Sequence, residues 1–337
     1  MSNFSNTSAL ALRFSRLGLI MVSSMLAACF VSPIALAQTY PIKPIKVVLM
    51  FPPGGGSDAQ TRLIGEKIKG LIGQPFIVEN RPGAGGIIAA NAVIGAPADG
   101  YTLLHAGMAL MTLTPKLNQA TTYSASDFVP VAAISTANLV LAARMDFPVN
   151  NLQELVSLAK SKPGEINYGT WGPGSLPHVA GELMDRDMGI RMNAIPYKGE
   201  VPLIQDMLGN QPSLGWVTLP ALLPHLKSGK FKIIGVAAAQ RDPLLPNVPT
   251  FVEQGLKDFD LTGWTGIFAL KGTPADVVNL LNIKINETLK LPDVQERITS
   301  QGQTVTIMSG AQLGEVVRKT TLRLSPTLDK LAPSLKQ

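Results

Sequence analysis

A buried strand that runs into three consecutive glycines is the feature that most constrains how this chain folds. Residues 45–51 form a near-continuous apolar run rich in β-branched side chains, which is typical of a strand buried on both faces. The Pro52-Pro53 pair ends that strand, because proline has no N–H for a central ladder. The glycines at 54–56 then allow a sharp turn whose N–H groups no side chain shields.

A helix is predicted directly after the glycines. Apolar residues recur at helical spacing up to residue 72, and Ser57 or Asp58 is placed to be the N-cap. The first turn of a helix has N–H groups without intrahelical partners, and the helix dipole adds partial positive charge there. A strand, a glycine turn and a helix in succession therefore predict a site for an anion.

The first 37 residues match a secretory signal peptide. A basic start and an apolar core of residues 17–28 precede Ala35-Leu36-Ala37, which forms an A-x-A cleavage site. We therefore predict a periplasmic protein that begins at Gln38 after cleavage. Cys29, the single cysteine of the chain, also ends a lipobox-like sequence, so lipid anchoring at Cys29 is the alternative.

Size and charge narrow the class of the remaining protein. About 300 residues are too many for one ordinary core and suit two lobes. The signal segment holds two of the 29 basic residues and none of the 23 acidic ones, so the net charge falls from +6 to +4 without it. No basic run interleaved with aromatic residues is present, which argues against nucleic acid as a partner. No apolar stretch after residue 38 approaches the roughly 20 residues of a membrane span.

A nucleotide is the first alternative ligand for the glycine turn. Gly54, Gly56 and Ala59 fit the dinucleotide-binding spacing G-x-G-x-x-A, and Glu79 follows about 20 residues on. An exported chain is not normally supplied with NAD or ATP, so another anion is favoured. We expect no cofactor and no metal.

Alternating strands and helices predict the α/β class, with two parallel-rich sheets flanked by helices. The apolar run 128–145 is longer than one strand, and we interpret it as the chain leaving a first lobe. Residues 260–271 are interpreted as the return crossing. The predicted divisions are residues 1–37 for the signal peptide, 38–135 and 262–337 for lobe 1, and 136–261 for lobe 2.

A second glycine loop, at residues 172–175, precedes a helix that carries His178 and Glu182. Two strand–glycine–helix turns that face one another would hold an anion from both sides. The i, i+4 spacing of His178 and Glu182 could support a metal, but no third ligand has sensible spacing. Ser175 lies three residues before His178, yet the G-x-S-x-G elbow of hydrolases is missing.

Several segments resemble the Bug (Bordetella uptake gene) family, the solute receptors of tripartite tricarboxylate transporters. They are F-P-P-G-G-G-S-D at 51–58, V-E-N-R-P-G-A-G-G at 78–86, P-A-D-G-Y-T-L-L at 97–104 and P-Y-K-G at 196–199. The resemblance implies a two-lobed periplasmic binding protein of type II-like architecture, with two crossing strands between its lobes. It also implies a small carboxylate as ligand and the permease subunits of the transporter as partners.

The resemblance and the expected rim of the sheet supply a set of candidate ligand contacts. Gly55, Gly56 and Ser57 would offer N–H and hydroxyl donors, and Asp58 would cap the helix and hold bridging waters. Trp264, on the return crossing, is a candidate ligand wall or hinge core. The full set is Phe51, Gly55, Gly56, Ser57, Asp58, Met108, Ala109, Gly174, Ser175, His178, Val217, Thr218 and Trp264.

Val217 and Thr218 bear on the class of ligand. Many family members have an acidic residue followed by asparagine at this point, and a carboxylate there would suit a ligand ammonium. Its loss favours a dicarboxylate without an amine. Trp216, Met108 and Leu110 would make the cleft more apolar than citrate requires, which suits an aromatic or medium-length aliphatic dicarboxylate. We predict a monomeric receptor without catalysis. An exported hydrolase that uses Ser175 and His178, and a ligand-sensing subunit for a histidine kinase, remain open alternatives.

Overall fold

Two β-sheets, each flanked by helices, organise this protein. The computed structural model describes residues 40–333, so the predicted signal peptide and Cys29 lie outside the described residues. Within residues 40–333, no helix is both long enough and apolar enough to cross a membrane.

Residues 40–333 contain eleven strands. In chain order they are β1 (Ile45–Leu49), β2 (Phe76–Asn80), β3 (Thr102–Gly107), β4 (Phe128–Ala137), β5 (Leu139–Arg144), β6 (Asn167–Thr170), β7 (Asn193–Pro196), β8 (Leu214–Thr218), β9 (Phe231–Val236), β10 (Gly263–Leu270) and β11 (Thr304–Val305).

The strands divide into a sheet of six and a sheet of five. The first sheet has the order β11-β4-β10-β3-β1-β2, and the second has the order β7-β6-β8-β5-β9. In each sheet one half is parallel: β1 pairs with β2 and β3, and β6 pairs with β7 and β8. The strands β10 and β5 join these parallel halves to antiparallel partners. The predicted two-lobed α/β class is confirmed.

Ten α-helices flank the sheets within the same residues. In chain order they are α1 (Gly56–Ile72), α2 (Ile87–Ile94), α3 (Thr114–Leu117), α4 (Leu152–Ser161), α5 (Leu176–Met188), α6 (Glu200–Leu208), α7 (Leu219–Leu226), α8 (Ala275–Leu289), α9 (Pro292–Thr299) and α10 (Gly310–Leu331). A π-helical segment, Ala109–Leu113, leads into α3.

The chain passes between the sheets at two adjacent points. Asn138 separates β4 from β5, and Thr262 immediately precedes β10. Thr262 Oγ1 donates to Asn138 Oδ1 at 3.2 Å, and Asn138 Nδ2 donates to Asp242 Oδ2 at 2.7 Å. One asparagine therefore joins both crossing segments. The predicted residue limits of the two lobes stay a prediction.

The parallel strands place the candidate loops at one edge of each sheet. α1 follows β1 and the π-helical segment follows β3, while α5 follows β6 and α7 follows β8. In sheets of this kind, ligands bind beyond the carboxyl ends of the strands. These four connections are therefore the place to examine for a ligand site.

Close packing of α1 against β2 depends on a glycine. A Cβ atom at Gly65 would lie 2.8 Å from Phe76 Cβ and 3.2 Å from the Phe76 carbonyl oxygen. Ile64 and Ile68 on the same helix are fully buried. Gly70, on the same helix, has no atom within 4 Å of where its Cβ would be.

These two glycines form a matched pair for a stability measurement. We expect Gly65→Ala to lower the free energy of unfolding by about 1–3 kcal/mol, because Phe76 must move. Gly70→Ala should raise it by up to about 1 kcal/mol, because alanine favours the helix. Urea unfolding followed by circular dichroism measures both. Equal effects from the two variants would contradict the packing described here.

Candidate functional site

The turn between β1 and α1 leaves the first N–H groups of the helix open. The helix begins at Gly56, and its N-cap is Gly55 in an extended conformation (φ −76°, ψ 170°). No side chain caps this terminus within residues 40–333. The prediction that Ser57 or Asp58 is the N-cap is therefore wrong: both lie inside the first turn, where their own N–H groups are among those without an intrahelical partner.

The side chain of Asp58 fixes the conformation of this turn through hydrogen bonds. Its Oδ2 accepts the Gly54 N–H at 3.0 Å, and its Oδ1 accepts from Asn80 Nδ2 at 2.9 Å. Arg62 Nε donates to both carboxylate oxygens at 3.1 Å. These bonds, that from Arg62 first, lower the pKa of Asp58 to about 2. Asp58 is 5% exposed, and the Arg62 guanidinium pairs with its buried charge at 3.0 Å.

A buried histidine supports the same turn from the sheet. His105 on β3 is fully buried, and its Nδ1 lies 2.6 Å from Thr61 Oγ1 on α1. The Thr61 hydroxyl donates its one proton to the Ser57 carbonyl at 2.6 Å, so His105 must donate through Nδ1. Burial lowers the pKa of His105 to about 4. The ring of Phe51, a predicted contact residue, lies edge-on to His105 at 6.3 Å.

The turn between β6 and α5 repeats the construction of the first turn with different atoms. The Gly174 N–H donates to His178 Nδ1 at 3.0 Å, four residues on, as Gly54 does to Asp58. The Ser175 hydroxyl donates to the Gly172 carbonyl at 2.7 Å. His178 Nδ1 is thus an acceptor, and burial lowers the pKa of His178. Both predicted residues hold the loop together.

A cavity of about 720 Å³ lies between the two lobes. The π-helical segment and α3 form one wall, and the second glycine loop forms the other. Trp171, which the sequence analysis missed, belongs to the second wall, and its indole N–H has no acceptor among residues 40–333. The wall residues include Ala109, Leu113, Leu117, Trp171, Gly174 and Ser175.

Of the predicted contact residues, only three line this cavity: Ala109, Gly174 and Ser175. The residues of the first glycine turn, together with His178 and Thr218, are not among its wall residues.

The remaining three predicted contact residues are buried away from this cavity. Val217 is fully buried in an apolar cluster with Val140 and Leu203, so its side chain has no surface to offer a ligand. Met108 is 4% exposed and belongs to the main core. Trp264 is 6% exposed and lines a separate cavity of about 510 Å³ beside α10.

Thr218 is held by a carboxylate that the sequence analysis did not identify. Glu200 Oε2 accepts both the Thr218 N–H at 3.0 Å and the Thr218 hydroxyl at 2.9 Å. Burial raises the pKa of Glu200. Thr218 Oγ1 also caps α7 by accepting the Ala221 N–H at 3.4 Å. The sequence signal that could have pointed to Glu200 is its place directly after Gly199, at the start of a helix.

The geometry gives little support to the nucleotide and metal alternatives. Glu79, needed by the nucleotide hypothesis, forms ion pairs with Lys46 at 2.9 Å and with Arg81. His178 Nε2 and Glu182 Oε1 are 3.8 Å apart. Within the described residues no group of three or more potential ligands could hold a metal ion.

Comparison with known proteins gives consistent matches. A model described as "Tripartite tricarboxylate transporter family receptor" (TctC) matches residues 61–332. Protein BugT of Bordetella pertussis is 35% identical over 278 residues, which cover 82% of this chain and 85% of BugT.

Solved structures match over a similar extent. The R. palustris protein Rpa4515 with adipate is 29% identical, with a TM-score of 0.75, and covers 87% of this chain and 98% of its own. MatC (Rpa3494) from Rhodopseudomonas palustris with bound malate is 31% identical, with a TM-score of 0.72, and covers 87% of this chain and 100% of its own.

The buried His105 predicts a specific dependence of stability on pH. A histidine with a lower pKa in the folded chain takes up a proton on unfolding, so stability falls as pH decreases from about 6.5 to about 4. The shift corresponds to about 3 kcal/mol. His105→Asn keeps an N–H donor near the position of Nδ1 but has no imidazole. We expect its free energy of unfolding, measured with urea, to show much less dependence on pH in this range.

His225→Asn, at a half-buried position on α7, is the control for this experiment. It should leave the pH dependence between pH 4 and 6.5 close to that of the parent. Equal slopes for the parent and for His105→Asn would show that His105 does not titrate as its burial requires.

Proposed function

This chain belongs to the tripartite tricarboxylate transporter receptor family, and on that premise we propose that it captures a small carboxylate between its two lobes for uptake. The family match covers residues 61–332 and confirms the resemblance found in the sequence. The proposed ligand contacts in the first lobe are the N–H groups of Gly55, Gly56 and Ser57.

One observation carries the proposal: each lobe contains a glycine turn whose helix has no side-chain cap. In both turns an acceptor four residues on binds a glycine N–H: Asp58 accepts that of Gly54, and His178 accepts that of Gly174. The N–H groups of Gly56, Ser57 and Asp58 at the start of α1, and those of Leu176 and His178 at the start of α5, are left without intrahelical partners. Pro177, in the first turn of α5, has no N–H. Helix N-termini of this kind favour anions, and a carboxylate carries the appropriate charge.

A dicarboxylate without an amine is the proposed ligand class. The cavity wall contains Leu113, Leu117 and Trp171, which suit an apolar spacer between two carboxylates, aliphatic or aromatic. The carboxylate beside Thr218 is that of Glu200. Its Oε2 atom already accepts two hydrogen bonds from Thr218, one from the N–H and one from the hydroxyl, so it is not free for a ligand ammonium. The solved relatives with adipate and malate support a diacid.

A binding function without catalysis agrees with the hydrogen bonds of Ser175 and His178. A hydrolase needs the serine hydroxyl to donate to the histidine base. Here the hydroxyl donates to the Gly172 carbonyl, and His178 Nδ1 accepts the Gly174 N–H. Both groups are used within the loop, which favours the receptor over the exported hydrolase.

The remaining parts of the proposal concern the setting of the protein. Export by the signal peptide at residues 1–37 would place the receptor in the periplasm. We propose that it is a monomer there. Lobe 1 would comprise residues 38–135 and 262–337, and lobe 2 residues 136–261. The two lobes would close on the ligand by hinge motion and present it to the permease subunits.

A ligand panel tests this function. We expect the melting temperature of the periplasmic protein to rise with succinate, adipate or a phthalate, and not with aspartate, glutamate or NAD. A ligand at 100 times its Kd adds about 2.7 kcal/mol of stability. A response to NAD with no response to any diacid would overturn the proposal.

Gly56→Val tests the position of the anion site. The two γ-methyl groups would cover the first N–H groups of α1, so we expect affinity for the best diacid to fall at least about tenfold. Gly70→Val introduces the same side chain on the same helix at an open position, and it is the control for a change in helix stability. Titration calorimetry that finds equal affinities for the two variants would place the ligand elsewhere.

A further inference from the structure

The loop between α9 and β11 touches the second lobe through a glycine. Gly302 is buried and has a φ of +76°, and a Cβ atom on it would lie 2.5 Å from Leu223 Cδ1 and 3.2 Å from Pro220 Cα. Pro220 and Leu223 belong to the first turns of α7, which follows β8 of the second sheet. The backbone of this loop therefore rests directly on a helix of the other lobe.

Buried polar groups hold the same loop to the first lobe. Gln60 Nε2 on α1 donates to Gln301 Oε1 at 3.0 Å and to Gln303 Oε1 at 2.9 Å. Ser135, on the crossing strand β4, donates to Gln303 Oε1 at 2.7 Å. Gln60 and Ser135 are each 1% exposed, so these bonds are shielded from water.

One glutamine of the loop presents an unused donor beside the helix terminus. The amide nitrogen of Gln303 has no acceptor among residues 40–333, whereas its amide oxygen accepts from Gln60 and Ser135. A Cβ atom at Gly56 would lie 3.6 Å from Gln303 Nε2 and 3.5 Å from Gln301 Oε1. An amide donor of Gln303 thus lies beside the start of α1, where the proposed carboxylate would bind.

We propose that Gln303 completes the carboxylate site at the start of α1, and that Gly302 couples this site to lobe closure. The amide N–H groups of Gln303 donate to a carboxylate bound at Gly56 and Ser57. The contact of Gly302 with Pro220 and Leu223 then links the occupied site to the second lobe. A ligand favours the closed arrangement only through contacts that differ between the two states, and the contact of Gly302 with α7 would be one of them. The ligand contact rests on the proposed function, whereas the inter-lobe contact does not.

Gly302→Ala tests the inter-lobe contact. The added methyl group meets Leu223 and Pro220, so we expect a larger radius of gyration in small-angle X-ray scattering without ligand. We also expect at least a tenfold loss of affinity for the best diacid. Gly229→Ala is the matched control, because Gly229 has a similar φ of +66° and no atom within 4 Å of its Cβ position. Equal radii and affinities for the two variants would overturn the coupling.

Gln303→Glu tests the donor role. It keeps oxygens for Gln60 and Ser135 and replaces the donor amide by a second oxygen, so affinity should fall more than tenfold. Gln295→Glu, at an exposed position on α9, adds the same charge nearby and should change affinity less than twofold. Gln303→Met, which lacks the amide without adding charge, should also weaken binding, and its melting temperature measures the separate cost of the acceptor that Gln60 loses. Unchanged affinity in both Gln303 variants would exclude the donor role.

The two proposals fail in different ways. If the parent protein binds none of the acids, the proposed function fails, and the ligand-free scattering of Gly302→Ala against Gly229→Ala still decides the inter-lobe contact. If the parent binds a diacid and all loop variants behave as their controls do, the function stands and the loop inference is wrong.

Discussion

The candidate site depends on the buried carboxylate of Asp58. Its hydrogen bonds with Gly54, Arg62 and Asn80 give the glycine turn one conformation in place of the many that three glycines could adopt. Because the charge of Asp58 is neutralised by those donors, it does not repel an incoming anion. Asp58 thus fixes the turn through the Gly54 N–H, and the N–H groups at the start of α1 are left accessible to a ligand.

In the second lobe a neutral acceptor fixes the glycine turn. His178 Nδ1 takes the Gly174 N–H where the first lobe uses a carboxylate, and burial keeps the pKa of His178 low enough to preserve that lone pair. Protonation of His178 would remove the acceptor and release the loop. The two halves of the site therefore differ in acid sensitivity, since the pKa of Asp58 is about 2.

The polar groups behind the first turn connect it with the crossing between the lobes. Gln60 donates to the 301–303 loop, and Ser135 on β4 donates to the same loop, four residues before the chain enters the second sheet at Leu139. Asn138 then links the two crossing segments through Thr262. Hydrogen bonds and the backbone of β4 thus connect the start of α1 with the crossing between the sheets.

The sequence by itself determined the α/β class and both glycine turns, and it predicted an anion site at them, because these follow from residues adjacent in the chain. It did not determine which groups hold the turns or which predicted contacts meet the ligand. Gly55 is the N-cap, and the Asp58 carboxylate is instead used to accept the Gly54 N–H. Val217 is buried because its side chain lies on the face of β8 that packs against an apolar cluster. Only the tertiary structure brought Gln60 to Gln301, 241 residues away, and Trp171 to the cavity. Local patterns encode elements, whereas the walls of a site come from segments that meet only when the chain folds.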